Sequence, residues 1–273
     1  MRLHDYLTRV GVSPSGATLE TLRQLHVAHR EAFLFENISI QTGGAISVAI
    51  EDIERKFLDE GRGGYCFEHN TLLLAALRDL GFTPRTLLGR VRRGPPERWC
   101  RTHMVLRLVV DGEPWLADVG FGGLGLLEPM PLRAGATSQQ GGLAYTLRRE
   151  DPVWVLSCTG AVNWFDPAAA PGASAMDLYE FGEDPQTAGD VEVANHFTST
   201  HPNSMFRRTL TIQRTTREER TILRHDTFTR YAGGRIEDHA IAGPRLRAIA
   251  RDVFGVTLPP GPFVYETYKP LEV

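Results

Sequence analysis

The chain has 273 residues, 42% hydrophobic and 23% charged, with a formal net charge of −3. That is enough to bury a sizeable core without disulfides or a structural metal, and it excludes a disordered or fibrous protein. Its 30 Lys and Arg residues are scattered, which argues against nucleic-acid binding and leaves small molecules as the expected partners.

The opening MRLHDYLTRVGVSP lacks the basic and apolar regions of a secretory signal, and no stretch approaches the roughly 18 apolar residues of a membrane span. Cys66, Cys100 and Cys158 are odd in number and widely spaced, so a cytoplasmic protein with free thiols is expected. Helical spacing comes first. ATLETLRQLHVAHREA sets Leu22, Leu25 and Ala28/Ala32 on one face, VAIEDIERKFLDEG sets Ile50, Ile53 and Phe57 before Gly61, and CFEHNTLLLAALRDLG sets Leu73, Leu77 and Leu80 before Gly81. Residues 1–84 therefore read as a helical bundle. From Arg85 the period shortens: RTLLGRVRR, THMVLRLVV, EPWLADVG, LAYTLRR and VWVLSCTG are strand-like, and Asp111-Gly112 is a hairpin signal. A Pro/Ala/Gly-rich stretch, DPAAAPGAS, follows. Residues 191–273 begin with a helix around DVEVANHF, continue with the strands RRTLTIQR, ERTILR and DTFTRYA, and end on the helix PRLRAIARDVFG. The class is α+β: bundle 1–84, β region 85–190 and mixed α/β segment 191–273.

Three residues carry the candidate chemistry. Cys66 opens a helix after Arg62-Gly63-Gly64-Tyr65, where unpaired N–H groups and the helix dipole favour a thiolate, while Arg62 adds positive charge or pairs with an acid elsewhere. A two-residue Asp111-Gly112 turn makes facing hairpin positions sum to 223, so Val105 faces Asp118 and His103 faces Gly120. His103 and Asp118 are then same-face diagonal neighbours, roughly 7–8 Å apart at the backbone, a gap an imidazole and a carboxylate can close. In that arrangement His103 is the base for Cys66 and Asp118 fixes its tautomer. Nothing local brings the helix start to the hairpin.

RGGYCFE, RTHMVL and LADVGFG, in this order and spacing, with FENI at Phe35–Ile38 and STHPNSMF at Ser199–Phe206, resemble the arylamine N-acetyltransferases. The resemblance implies a helical bundle, a central β-barrel and a C-terminal α/β lid around a cysteine-protease-like triad core. It also implies a ping-pong reaction in which acetyl-CoA, a co-substrate rather than a bound cofactor, acylates Cys66 and an arylamine or hydrazine removes the acetyl group. No metal is implied. By residue match Phe121 and Phe197 line the acceptor pocket, Thr102 and Gly120 give backbone contacts to CoA or the oxyanion, and Glu36 with Arg62 braces the cysteine loop. Residues 134–190 offer no family motif.

Two other readings compete. A thiol hydrolase, a transglutaminase-like enzyme or an amide-forming acyltransferase uses the same residue types in the same order. Cys66-x-x-His69 with Cys100-x-x-His103 could instead be two halves of a zinc site, although strand positions three apart face opposite sides.

Overall fold

Leu3, Tyr6, Leu7 and Val10 fall at helical spacing, and they form α1 (Leu3–Val10), which the sequence reading had passed over. Gly11, at φ +69°, closes it with its N–H on the Leu7 carbonyl at 2.9 Å. The computed structural model describes residues 1–160 and 175–267; the DPAAAPGAS stretch lies outside the described residues.

Helix α2 (Leu19–Ala32) starts where Thr18 Oγ1 accepts the Thr21 N–H at 3.2 Å. Leu22 and Leu25 are buried as expected, but Ala28 and Ala32 are only half-buried, while His26, His29 and Arg30 are buried. The expected stripe was too narrow, because α2 packs on two sides and its polar residues bond to both. After it come the two-residue strand β1 (Phe35–Glu36), the short α3 (Ile38–Gln41) and α4 (Ile50–Glu54), which widens into a π-type turn over Arg55–Asp59. Helix α5 (Cys66–Asp79) follows, with Leu73 and Leu77 fully buried.

Eight antiparallel strands then curl into a nearly closed barrel. They are β2 (Arg85–Val91), β3 (Arg101–Val110), β4 (Glu113–Ala117), β5 (Met130–Pro131), β6 (Ala136–Gln140), β7 (Leu143–Glu150), β8 (Val153–Thr159) and β9 (Met176–Phe181), in the order β5-β4-β3-β2-β9-β8-β7-β6. Of these the sequence reading lacked β5, β6 and β9. The β3–β4 hairpin has the expected register, Val110 with Glu113 through Leu106 with Ala117. Its turn residues Asp111 and Gly112 both take positive φ, at 52° and 80°, as a type I′ turn requires. Both faces of β3 are covered. Met104 and Leu106 pack with the helices, while Val105 packs inside the barrel with Leu116, Tyr145 and Tyr179.

The last part begins with α6 (Ala188–Thr200) and α7 (Met205–Arg208). A five-stranded antiparallel sheet follows, in which β1 is an edge: β1-β10-β11-β12-β13, with β10 (Thr211–Thr215), β11 (Glu219–Arg224), β12 (Thr227–Ala232) and β13 (Arg235–Ala240). Helix α8 (Gly243–Phe254) covers it through Leu246, Ala250 and Phe254. The pairing of β1 with β10, Phe35 to Gln213 and Glu36 to Ile212, was absent from the sequence reading because a two-residue strand has no periodicity.

Candidate active site

The loop that delivers Cys66 is set by close backbone approach. A Cβ on Gly63 would lie 1.7 Å from the Leu34 carbonyl oxygen, and one on Gly64 would lie 2.3 Å from Glu68 Oε2, so neither position has room for a side chain. Gly64 donates its N–H to Leu34 O at 3.2 Å, and its carbonyl accepts the Glu36 N–H at 2.7 Å. Arg62 Nη2 bonds Glu36 Oε1 at 2.8 Å, and Glu36 Oε2 accepts the Ile38 N–H at 2.6 Å. The resemblance had suggested that pair. Glu68 receives the Tyr65 N–H at 3.0 Å and Lys56 Nζ at 2.6 Å, fixing the first turn of α5.

Helix α5 docks on β3, and with it comes the contact that the sequence left open. The Cys66 thiol donates to the Thr102 carbonyl at 3.6 Å, next to His103. Gly120 closes the other side: a Cβ there would lie 2.7 Å from Cys66 Cα and 2.6 Å from Asn70 Nδ2. We expect Gly120→Ala to push Cys66 off its seat, costing about 1–3 kcal/mol of stability. Urea unfolding and single-turnover acylation of the variant measure the two effects separately.

His103 stands opposite Gly89, beside a bulge between Gly89 and Arg90, and shares barrel-side parity with Val105. Its Nε2 donates to Asp118 Oδ2 at 2.8 Å. Asp118 Oδ1 accepts Asn70 Nδ2 at 3.1 Å and the Gly120 N–H at 2.9 Å. Burial alone would push the Asp118 carboxyl up, but its pairing with His103 and the bonds from Asn70 and Gly120 hold it below the usual carboxylate range. With an ionised Asp118 on Nε2, the lone pair of the neutral ring sits on Nδ1.

Cys66 corrects one expectation. It is 3% exposed, and burial pushes its thiol up, while the N–H groups of Met104 and Phe67 pull the other way. Arg62 is paired with Glu36, as the resemblance implied, so its charge is not directed at the sulfur. A helix start does not by itself make a free thiolate here, so the proton needs a base inside the same dry site.

Around this centre, the ring of Phe121 lies 5.0 Å from that of His103, and the ring of Tyr179 lies 4.7 Å from it. Phe197, on α6, stacks on His201 at 4.3 Å and faces an outward cleft with Val193 and His196. Thr102 enters through its carbonyl. Sequence reasoning missed Asn70, Tyr179 and His26. Asn70 had a signal, since it lies one helical turn beyond Cys66 on the same face. His26 and His29 extend the Leu22/Leu25 stripe at i+3 and i+4, whereas nothing in sequence marked Tyr179.

His69, one half of the zinc reading, has both ring nitrogens engaged. Tyr6 OH is 3.0 Å from His29 Nδ1, His29 Nε2 is 2.9 Å from His69 Nδ1, and His69 Nε2 is 3.0 Å from Leu34 O. Only one set of tautomers satisfies that chain: the carbonyl must accept, so His69 carries its proton on Nε2 and His29 on Nε2, and the tyrosine donates. Both rings are neutral, burial pushing His69 down to about 3 and His29 well below its ordinary value.

A family model described as N-acetyltransferase matches residues 18–262. The arylamine N-acetyltransferase / N-hydroxyarylamine O-acetyltransferase of Salmonella typhimurium is 35% identical over 259 residues, covering 93% of this chain and 88% of the relative. The chain belongs to the arylamine N-acetyltransferase family. Arylamine N-acetyltransferases are acyltransferases, and the Escherichia coli member is 32% identical over 251 residues, covering 91% of this chain and 84% of its own. In three dimensions the Salmonella typhimurium arylamine N-acetyltransferase superposes with a TM-score of 0.82 over 93% of this chain and 90% of that one, at 35% identity. The Mycobacterium marinum arylamine N-acetyltransferase in complex with CoA superposes with a TM-score of 0.84 over 93% and 92%, at 31% identity.

Proposed function

We propose that this chain transfers an acetyl group from acetyl-CoA to the nitrogen of arylamines or hydrazines, through a thioester on Cys66. His103 is the base and Asp118 its orienter. The observation that carries the reading is the seating of Cys66, the first residue of α5, between Thr102 O and Gly120 beside the hydrogen-bonded His103–Asp118 pair. His103 Nδ1 takes the thiol proton, and the imidazolium is held by the Asp118 charge. The sulfur attacks the acetyl carbon, and N–H groups in the first turn of α5 without intrahelical acceptors stabilise the oxyanion. As the tetrahedral centre collapses the C–S bond to CoA breaks, and the thiolate of CoA takes the proton back from His103. In the second half-reaction the amine attacks the thioester carbon, loses a proton to His103 and leaves as the amide, restoring the thiol.

Burial of Cys66 supports transfer over hydrolysis, since the thioester is shielded from bulk water while it waits. Phe121 and Tyr179 give that waiting space an aromatic wall, which suits an aromatic amine; Thr102 and Gly120 are assigned to backbone contacts with CoA or the oxyanion, and Phe197, which stacks on His201 in the outward cleft, is assigned to the acceptor by the family resemblance alone. The substrates are small molecules, with neither nucleic acid nor membrane as a partner. No helix among the described residues is long and apolar enough to cross a membrane. We place the reaction in the cytoplasm, where acetyl-CoA and free thiols coexist.

Incubation with acetyl-CoA alone should add one acetyl group to the peptide containing Cys66, detected by mass spectrometry, and a chase with an arylamine should remove it as the acetylated amine. A Cys66 that is never labelled sinks the proposal. A label that water removes quickly and amines ignore moves the thiol hydrolase ahead.

A further inference from the structure

We infer that His26 is a positioning residue for Asp118, fixing the direction of the carboxylate through its main chain; the inference rests on the roles given above to His103 and Asp118. The β3–β4 ladder ends at Ala117, so Asp118 is the first residue whose backbone the sheet no longer holds. Two successive donors there are taken by side chains instead. Asp118 N–H bonds His26 Nε2 at 3.0 Å, and Val119 N–H bonds Asn70 Oδ1 at 3.2 Å. These acceptors come from α2 and α5, and they do for residues 118 and 119 what a partner strand does for 113–117.

The ring of His26 is fully buried, and its tautomer follows from its partners. Accepting at Nε2 leaves the proton on Nδ1, which donates to the Leu127 carbonyl at 2.8 Å. His26 thus ties the end of β4 to the segment that leads into β5. One turn further along α2, Arg30 continues the same support: Nη1 bonds Val119 O at 3.3 Å, and Nη2 bonds Gly122 O at 2.6 Å. Residues 118–122 hold both the carboxylate and Phe121, and α2 grips them at both ends. Because both ring nitrogens of His26 bond main chain, its influence on His103 passes through Asp118.

The test is single-turnover acylation by acetyl-CoA, normalised to titratable Cys66. His26→Leu removes the acceptor and should slow acylation about 30–100-fold, with the concentration dependence on acetyl-CoA little changed. His26→Gln, whose amide can span the same two bonds, should recover most of the rate. In an Asp118→Ala background, with no carboxylate left to aim, His26→Leu should cost less than about threefold. Equal losses in both backgrounds would show a merely structural side chain and overturn the inference, as would a wild-type rate in His26→Leu or no recovery in His26→Gln. If His26→Leu does not fold, His26→Asn draws the acceptor back by about one bond and should be slow only when Asp118 is present; a wild-type rate there overturns it equally. Wild-type protein that is never acylated sinks the proposed function and this role together. Rapid wild-type acylation, a slow Asp118→Ala variant and an unaffected His26→Leu remove the role of His26 alone.

Discussion

Asp118→Asn should fold and yet acylate Cys66 about 10³–10⁴-fold more slowly. The donors around Oδ1, Asn70 Nδ2 and the Gly120 N–H, require an oxygen there, so the new amide nitrogen must face His103. An NH₂ group against Nε2 forces that nitrogen to accept, and the ring proton moves to Nδ1. The nitrogen meant to take the thiol proton then already carries one, and no charge remains to hold an imidazolium. Rapid-mixing acylation, with circular dichroism as the check on folding, measures this. A folded variant within tenfold of the wild-type rate would remove Asp118 from the mechanism.

Stability should fall steeply with mild acid. His26, His29 and His69 are buried and neutral, and burial pushes His26 down to about 4 and His69 down to about 3. In each case the folded value lies below the unfolded one, so the stabilisation is present above about pH 6.5 and is lost as pH falls towards the folded values. With an unfolded value near 6.5, His26 and His69 each contribute about 2 kcal/mol of loss between pH 7 and pH 5, or about 4 kcal/mol for the two, and His29, held well below its ordinary value, adds loss of the same sign. That is comparable to the whole stability of a marginal domain. Asp118, also held below its ordinary value, acts only under more acid conditions, and the raised Glu68 offsets part of the loss as it takes up a proton. Urea midpoints at pH 7, 6 and 5 should show net uptake of two to three protons on unfolding. Uptake of less than one proton would mean that the three rings are not held neutral.

How far the sequence could be read depended on whether the determinants were local. The Asp111-Gly112 turn sets the β3–β4 register by itself, and register carries His103 and Asp118 to one face, so half the triad was derivable from a dipeptide and an arithmetic of pairs. The other half is tertiary. Cys66 meets the hairpin because Gly120 lets the backbone of α5 lie against it, a contact between residues 54 positions apart that only the family resemblance anticipated. Burial was the least legible quantity: the helix terminus suggested a low-pKa thiol, but the sulfur is buried where α5 docks on the β3 strand. Likewise α2 looked one-sided until its histidines proved to be the core-facing polar residues. Strands β6 and β9 escaped because one is polar and the other follows a low-complexity run.

The two-residue strand β1 has a consequence for biosynthesis. Phe35 pairs on one side with Gln213 and forms a parallel bridge with Gly64 on the other, so the loop presenting Cys66 leans on backbone that takes its partner from β10. All three triad residues leave the ribosome by position 118, some ninety residues before that partner exists. A nascent chain therefore carries the three residues proposed as nucleophile, base and orienter without the edge that seats the cysteine loop. On the proposed roles, competence to take an acyl group is expected only once the last third of the chain has been made.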